Sequence, residues 1–160
     1  MKTAVVYYSL SGNVRYAAEK AAEALGADLI PLSPVKAYPD SGFRKFFWGG
    51  KAATMRETPD LETYSFTSSD YDTVVLCTPV WAGTFTPPLR TFLKENDLTG
   101  KKIAVIACSS GGSAEKCIEQ LRRAAKAESL VSSLSLVDPK DRPSEENERR
   151  IKEFADKLKS

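Results

Sequence analysis

The sequence predicts an α/β fold: a doubly wound, five-stranded parallel sheet with helices on both faces. Three observations lead there. Short β-branched, apolar segments recur five times along the 160 residues. Helical faces follow them, with apolar residues at i, i+3, i+4 and i+7. The strand segments at 3–8 and 72–79 are apolar almost throughout, as strands covered on both faces are. A repeating strand-helix order argues for parallel pairing.

Each element follows in turn. Residues 3–8 (TAVVYY) form the first strand. Val14, Ala17, Ala18, Ala21, Ala22 and Leu25 then mark one helical face. That face is mostly alanine, so the helix can lie close to a sheet, and Gly26 is its C-terminal stop. The segment ADLIPLS gives a short second strand. Residues 34–70 break the rhythm and are long for a plain connection. They are expected to form an irregular or part-helical insert, opening as a short helix that Gly49-Gly50 interrupts. DTVVLCTP is the third strand. TPPLRTFLKEN is a helix with Thr86 as its cap and prolines in its first turn. KKIAVIACS is the fourth strand, and Ala114, Cys117, Ile118, Leu121 and Ala125 mark the next helical face. SLVSSLSLVD is the fifth strand, and its partial alternation suits a sheet edge. Pro143 and Ser144 open a last helix with Ile151, Phe154, Ala155 and Leu158 facing inward.

Length and composition narrow the class. The expectation is one domain over residues 1–160, long enough to bury a core without staples. The net charge is +2, and the two signs are interleaved, so no basic stripe points to nucleic acid. Three scattered cysteines with no histidine argue against a zinc site and any histidine-based triad. Free thiols fit a reducing cytoplasm. No signal-peptide plan and no spanning run are present, so no membrane contact is expected. The expected location is cytoplasmic.

Ligands of such sheets bind outside the carboxyl ends of the strands. After the first strand comes SLSGNV. A helix N-terminus offers unpaired N–H groups and partial positive charge. Gly12 permits a tight bend, and Ser9, Ser11 and Asn13 add side-chain donors. Together they suit a terminal phosphate with no lysine among them. The alternative is that Ser11 or Asn13 merely caps the helix. Neither the nucleotide-binding G-x-x-x-x-G-K-[ST] pattern nor a G-x-G-x-x-G is present. After the third strand, Trp81 and Phe85 could stack on a planar ring, or Trp81 could pack under the following helix. Pro79 stiffens that turn, and Gly83 lets backbone come close. After the fourth strand, CSSGGS either leaves room for something flat or is a tight turn capped by Ser113. Cys77 and Cys117 read as small buried hydrophobes. Cys108, at the end of the fourth strand, could sit near the ligand, although burial without reactivity is the commoner role. A tyrosine-phosphatase loop is ruled out, because Cys77 and Cys108 lack an arginine six positions on.

The segments YYSLSGNV, TPVWAGTFTPPLRTFL and ACSSGGS resemble the flavodoxin family over essentially the whole chain. The first resembles its phosphate loop, T/S-x-T/S-G-N-T, and the second its flavin-flanking segment. The resemblance, closest to short-chain bacterial members, implies a 2-1-3-4-5 sheet and one noncovalent FMN. Ser9, Leu10, Ser11, Gly12, Asn13 and Val14 would wrap the phosphate. Pro79, Val80, Trp81, Ala82 and Gly83 would line one side of the isoalloxazine. Ser109, Ser110, Gly111 and Gly112 would approach its other edge. No catalytic residue and no metal ligand is implied. Three departures stand out: Val14 replaces a usual threonine, the fourth-strand loop lacks a covering tyrosine, and the chain is not acidic.

The expected function is FMN-dependent electron transfer, with a redox partner protein or NAD(P)H as its partner. One alternative is an FMN-dependent NAD(P)H:quinone-type oxidoreductase, which would turn over NAD(P)H with quinones where a carrier would not. Another is a degenerate, non-redox binding module. Within the insert, Phe43, Phe46, Phe47 and Trp48 either pack over the sheet end or form a lid or homodimer contact. Arg44, Lys45, Lys51 and Arg56 form a solvated face, or attract an acidic partner or a pyridine-nucleotide phosphate.

Overall fold

The computed structural model describes residues 2–38 and 57–160. Its five strands are β1 (Thr3–Tyr7), β2 (Asp28–Pro31), β3 (Thr73–Pro79), β4 (Lys102–Ser109) and β5 (Ser132–Val137). Every neighbouring pair is parallel, and the order is β2-β1-β3-β4-β5. This is the predicted 2-1-3-4-5 sheet. The described α-helices are α1 (Asn13–Leu25), α2 (Pro87–Glu95), α3 (Glu115–Ala124) and α4 (Glu145–Lys159). A 3-10 turn, Ser68–Asp70, precedes β3.

The two-residue period of the strands sorts the core into two layers. Ala4, Val6, Val74, Leu76, Ile103 and Val105 face one way, against Leu89 and Phe92 of α2 and Cys117 and Leu121 of α3. Val5, Tyr7, Val75, Cys77, Ala104 and Ile106 face the other way, against the alanine face of α1 and Ile151 and Phe154 of α4. Ala17, Ala18 and Ala21 are fully buried, so small side chains let α1 sit close over the middle of the sheet. Central strands β1, β3 and β4 are covered on both sides, which is why their sequences barely alternate. At the edge, β5 does alternate.

Helix ends required tertiary information. Ser144 does cap α4, its hydroxyl accepting the Asn147 N–H at 3.1 Å. Thr86 does not cap α2 with its side chain. Its hydroxyl lies 3.3 Å from that of Thr78, and its N–H donates to Thr78 Oγ1 at 3.1 Å. Pro87 and Pro88 have no N–H to satisfy, which removes most of the need for a cap.

The connection from β2 to β3 is partly described. Pro34 and Leu61 form an antiparallel bridge, and Phe66 and Tyr64 pack on Phe92. The aromatic and basic residues Phe43, Arg44, Lys45, Phe46, Phe47, Trp48, Lys51 and Arg56 lie outside the described residues, as does the expected short helix around them.

Candidate functional site

Parallel pairing brings the carboxyl ends of β1, β3 and β4 to one edge. Tyr7 lies opposite Cys77, and Pro79 opposite Cys108. The chain leaves β1 through α1 on one face of the sheet and leaves β3 through α2 on the other, so a crevice opens where strand order reverses. There lies an open cleft of about 670 Å³, solvent at its mouth included. Ser9, Leu10, Ser11, Asn13, Val14, Pro79, Val80, Trp81, Ala82, Ser109 and Ser110 line it. Of the residues expected at a site, Gly12, Gly83, Gly111 and Gly112 are outside this lining. Cys108 and Asp138 belong to it as well.

The first loop is held from within. Ser9 Oγ accepts the Gly12 N–H at 3.2 Å, and Gly12 sits at φ +98°, where a side chain is strained. Neither Ser11 nor Asn13 caps α1; Gly12 occupies the cap position. Asn13 is buried and its amide is committed elsewhere. Its Oδ1 accepts the N–H groups of Lys140 at 2.9 Å and Asp141 at 3.3 Å. Its Nδ2 donates to Asp141 Oδ2 at 3.1 Å and Ser11 Oγ at 3.4 Å. Asn13 is therefore a strut between α1 and the β5–α4 loop rather than a free side-chain donor. Val14 points into the sheet-facing core and is 2% exposed. Backbone N–H groups and the Ser9 and Ser11 hydroxyls remain for a ligand.

The second loop is a tight reversal. Trp81 N–H donates to Thr84 O at 2.9 Å, and Thr84 N–H donates back to Trp81 O at 3.0 Å. Ala82 at φ +51° and Gly83 at φ +78° fill the turn. Left-handed backbone costs alanine about 1–2 kcal/mol, so the flanking bonds must hold it. The Thr84 hydroxyl donates to Gln120 Oε1, tying the turn to α3. Trp81 is half-buried at the cleft rim. It meets Tyr8 and Tyr38 edge-on, at centroid distances of 5.7 and 5.2 Å. Burial raises the pKa of both phenols, Tyr38 to about 12, so this trio is uncharged at neutral pH. Phe85 is a core residue at 1% exposure, with Arg90 over its ring. It is not available for stacking, because the chain turns inward right after Thr84.

The third loop leaves β4 at Ser109. Ser109 is 8% exposed, and its buried hydroxyl has no partner among the described residues. Buried polar atoms are almost always paired, so this one marks a place for a ligand or water. Ser113 accepts the Glu115 N–H at 3.2 Å, although Ala114 holds the cap position.

The three cysteines are buried and unpaired. Burial pushes Cys108 and Cys117 up to about 12, and Cys77 well above its ordinary value. Cys108 lines the cleft, yet it is no nucleophile at neutral pH. Native protein is expected to resist thiol-directed disulfide reagents at pH 8, and all three sites to react once denaturant is added. Fast labelling of the native chain would contradict this. Among the described residues no cluster could hold a metal ion, and no helix is long and apolar enough to cross a membrane.

Residues 2–147 match the family model described as Flavodoxin. The chain belongs to the flavodoxin family. No curated protein matches it. This flavodoxin-family chain is similar in fold to a flavoprotein from Lactobacillus acidophilus NCFM solved in complex with FMN. There the identity is 18% and the TM-score 0.73, covering 88% of this chain and 95% of that one. It is also similar to a flavodoxin from Streptococcus pneumoniae TIGR4, at 18% identity and TM-score 0.62, covering 99% and 98%. Flavodoxin 1 from Bacillus cereus gives 17% identity and TM-score 0.60, covering 99% and 97%.

Asp138 and Lys140 are the neighbourhood that the sequence reading missed. A signal was present. The segment VDPKD follows the fifth strand, and the strand-end rule applies to that loop as much as to the other three.

Proposed function

We propose that this chain binds FMN in the cleft above β1, β3 and β4 and acts as an electron carrier. One observation carries the proposal: three loops converge on a cleft lined by Ser109, whose buried hydroxyl has no partner among the described residues. Family membership and the FMN complex of the Lactobacillus relative support it.

The residues present fit such a cofactor. The first turn of α1, with Ser9 and Ser11, suits a phosphate monoester. Pro79, Val80 and Trp81 offer apolar surface for a planar ring, and Ser109 and Ser110 offer polar groups in the same cleft. When bound, the flavin supplies the electron-transfer chemistry. The chain's own residues bind it, orient it and keep water from its buried side. A tryptophan at the rim, buttressed edge-on by two tyrosines, is held in place before any ligand arrives. Preorganisation of that kind lowers the cost of binding. The redox partner in this proposal is a protein, and NAD(P)H is the alternative donor.

The test is the visible absorption spectrum after incubation with FMN and desalting. Retained flavin bands with quenched fluorescence are expected. Trp81→Ala is expected to weaken FMN binding by about 0.5–1.5 kcal/mol beyond lost area and to relieve part of the quenching. A colourless desalted protein would overturn the proposal.

A further inference from the structure

The phosphate loop contains no lysine, yet the fold brings one to it. Lys140 belongs to the β5–α4 loop, and that loop is fixed at several points. Asp138, at φ +39°, donates its N–H to Ser109 O at 3.0 Å. Arg142 N–H donates to Asp138 O at 2.8 Å. Asn13 Oδ1 accepts the Lys140 N–H itself, 127 residues away in sequence. From this anchored backbone the lysine side chain runs across Gly12. A Cβ on Gly12 would lie 2.9 Å from Lys140 Nζ and 3.2 Å from its Cδ. The glycine therefore does two things: it adopts φ +98° and leaves room for the lysine stem.

The ammonium has no carboxylate within ion-pair distance among the described residues. The carboxylate of the next residue, Asp141, is engaged by Asn13 Nδ2 at 3.1 Å. A cation unpaired among the described residues thus stands against Gly12, the cap of α1, in the loop that carries Ser9 and Ser11. The cleft also contains a buried, unpartnered hydroxyl, Ser109 Oγ. The cation, the helix terminus and the hydroxyl donors favour an anion, against a carboxylate in the cleft lining, that of Asp138.

We propose that Lys140 is a ligand for the terminal phosphate of the bound flavin, and so sets the preference for phosphorylated over unphosphorylated flavin. This rests on the FMN proposal above. The position left without a hydroxyl at Val14 is then offset by a cation from a different loop.

The experiment measures dissociation constants for FMN and for riboflavin, by flavin fluorescence, in the wild type, Lys140→Met and Lys140→Arg. Methionine keeps the apolar stem and removes the charge, and unchanged melting temperatures check the fold. Lys140→Met is expected to weaken FMN about tenfold, the lower end for a charge-assisted hydrogen bond at an exposed site. Riboflavin affinity should stay within about twofold, Lys140→Arg should retain FMN, and the salt dependence of FMN binding should flatten in Lys140→Met. As an independent readout, inorganic phosphate should raise the melting temperature of the wild type more than that of Lys140→Met. Unchanged FMN affinity in Lys140→Met, or equal losses for FMN and riboflavin, overturns the role of Lys140 while leaving the FMN proposal standing. A wild type that binds neither flavin overturns both.

Discussion

Replacing Phe92 by alanine is expected to lower the unfolding free energy by about 3–5 kcal/mol, the range for emptying a buried aromatic site. Phe92 is fully buried on the sheet-facing side of α2. Its ring also seats the connection that precedes β3: Phe66 meets it edge-on at 4.9 Å, and Tyr64 lies tilted against it at 5.8 Å. Tyr64 is held further by Glu95 Oε1, which accepts its hydroxyl, and by the Asn96 amide. Thr91 Oγ1 donates to Pro59 O at 2.7 Å. The seam between α2 and residues 59–66 thus depends on one ring and a few polar ties. Urea unfolding monitored by circular dichroism checks this, through a lower midpoint at similar slope. A loss under about 1 kcal/mol would mean that neighbours collapse into the space and that the ring is not the keystone argued for.

Asn13→Ala is expected to cost about 2–3 kcal/mol, since it strands polar groups on the β5–α4 loop. The substitution removes the acceptor of two backbone N–H groups and the donor to Asp141. The consequence reaches function, because this strut holds the loop that carries Asp138 and Lys140. FMN affinity should fall along with stability. Ser11→Ala is the control. It loses only the long 3.4 Å contact with Asn13, so its stability should stay within about 0.5 kcal/mol. Equal stability of Asn13→Ala and the wild type would show that water replaces the strut.

Between them these variants separate two kinds of support for the cleft. Phe92 stabilises the layer on one side of the sheet, remote from any ligand. Asn13 lies at the ligand loop and joins it to a neighbour. Stability without ligand reports on both, whereas the ratio of FMN to riboflavin affinity reports on the loop alone.

The elements were legible because their signals are local. The alanine face of α1, the apolar runs of β1 and β3, and the proline-led start of α2 each encode burial at a fixed period. That periodicity also placed the loops, since a strand-helix alternation sends every loop after a strand to the same edge. The strand order followed only from the family likeness of the S-x-S-G-N and P-V-W segments, because periodicity carries no information on which strands pair. What the sequence by itself determined, then, is which strand and helix faces are buried, where the chain turns, and which three loops could face a ligand.

The rest was decided by tertiary contacts. Asn13, Ser11 and Thr86 are all residue types that cap helices, and each found a different partner. A short polar side chain bonds whichever group the fold brings near, and Lys140 is 127 residues from Asn13. Phe85 and Trp81 are aromatics four positions apart in one loop. One is in the core and the other at the cleft rim, because the turn at Ala82-Gly83 reverses the chain between them. The strand-end rule puts Lys140 at the same sheet edge, but its contact with Gly12 was hidden for the same reason. Local pattern can place a residue on a strand, a helix or a loop, but only the closed sheet sets which distant loops touch.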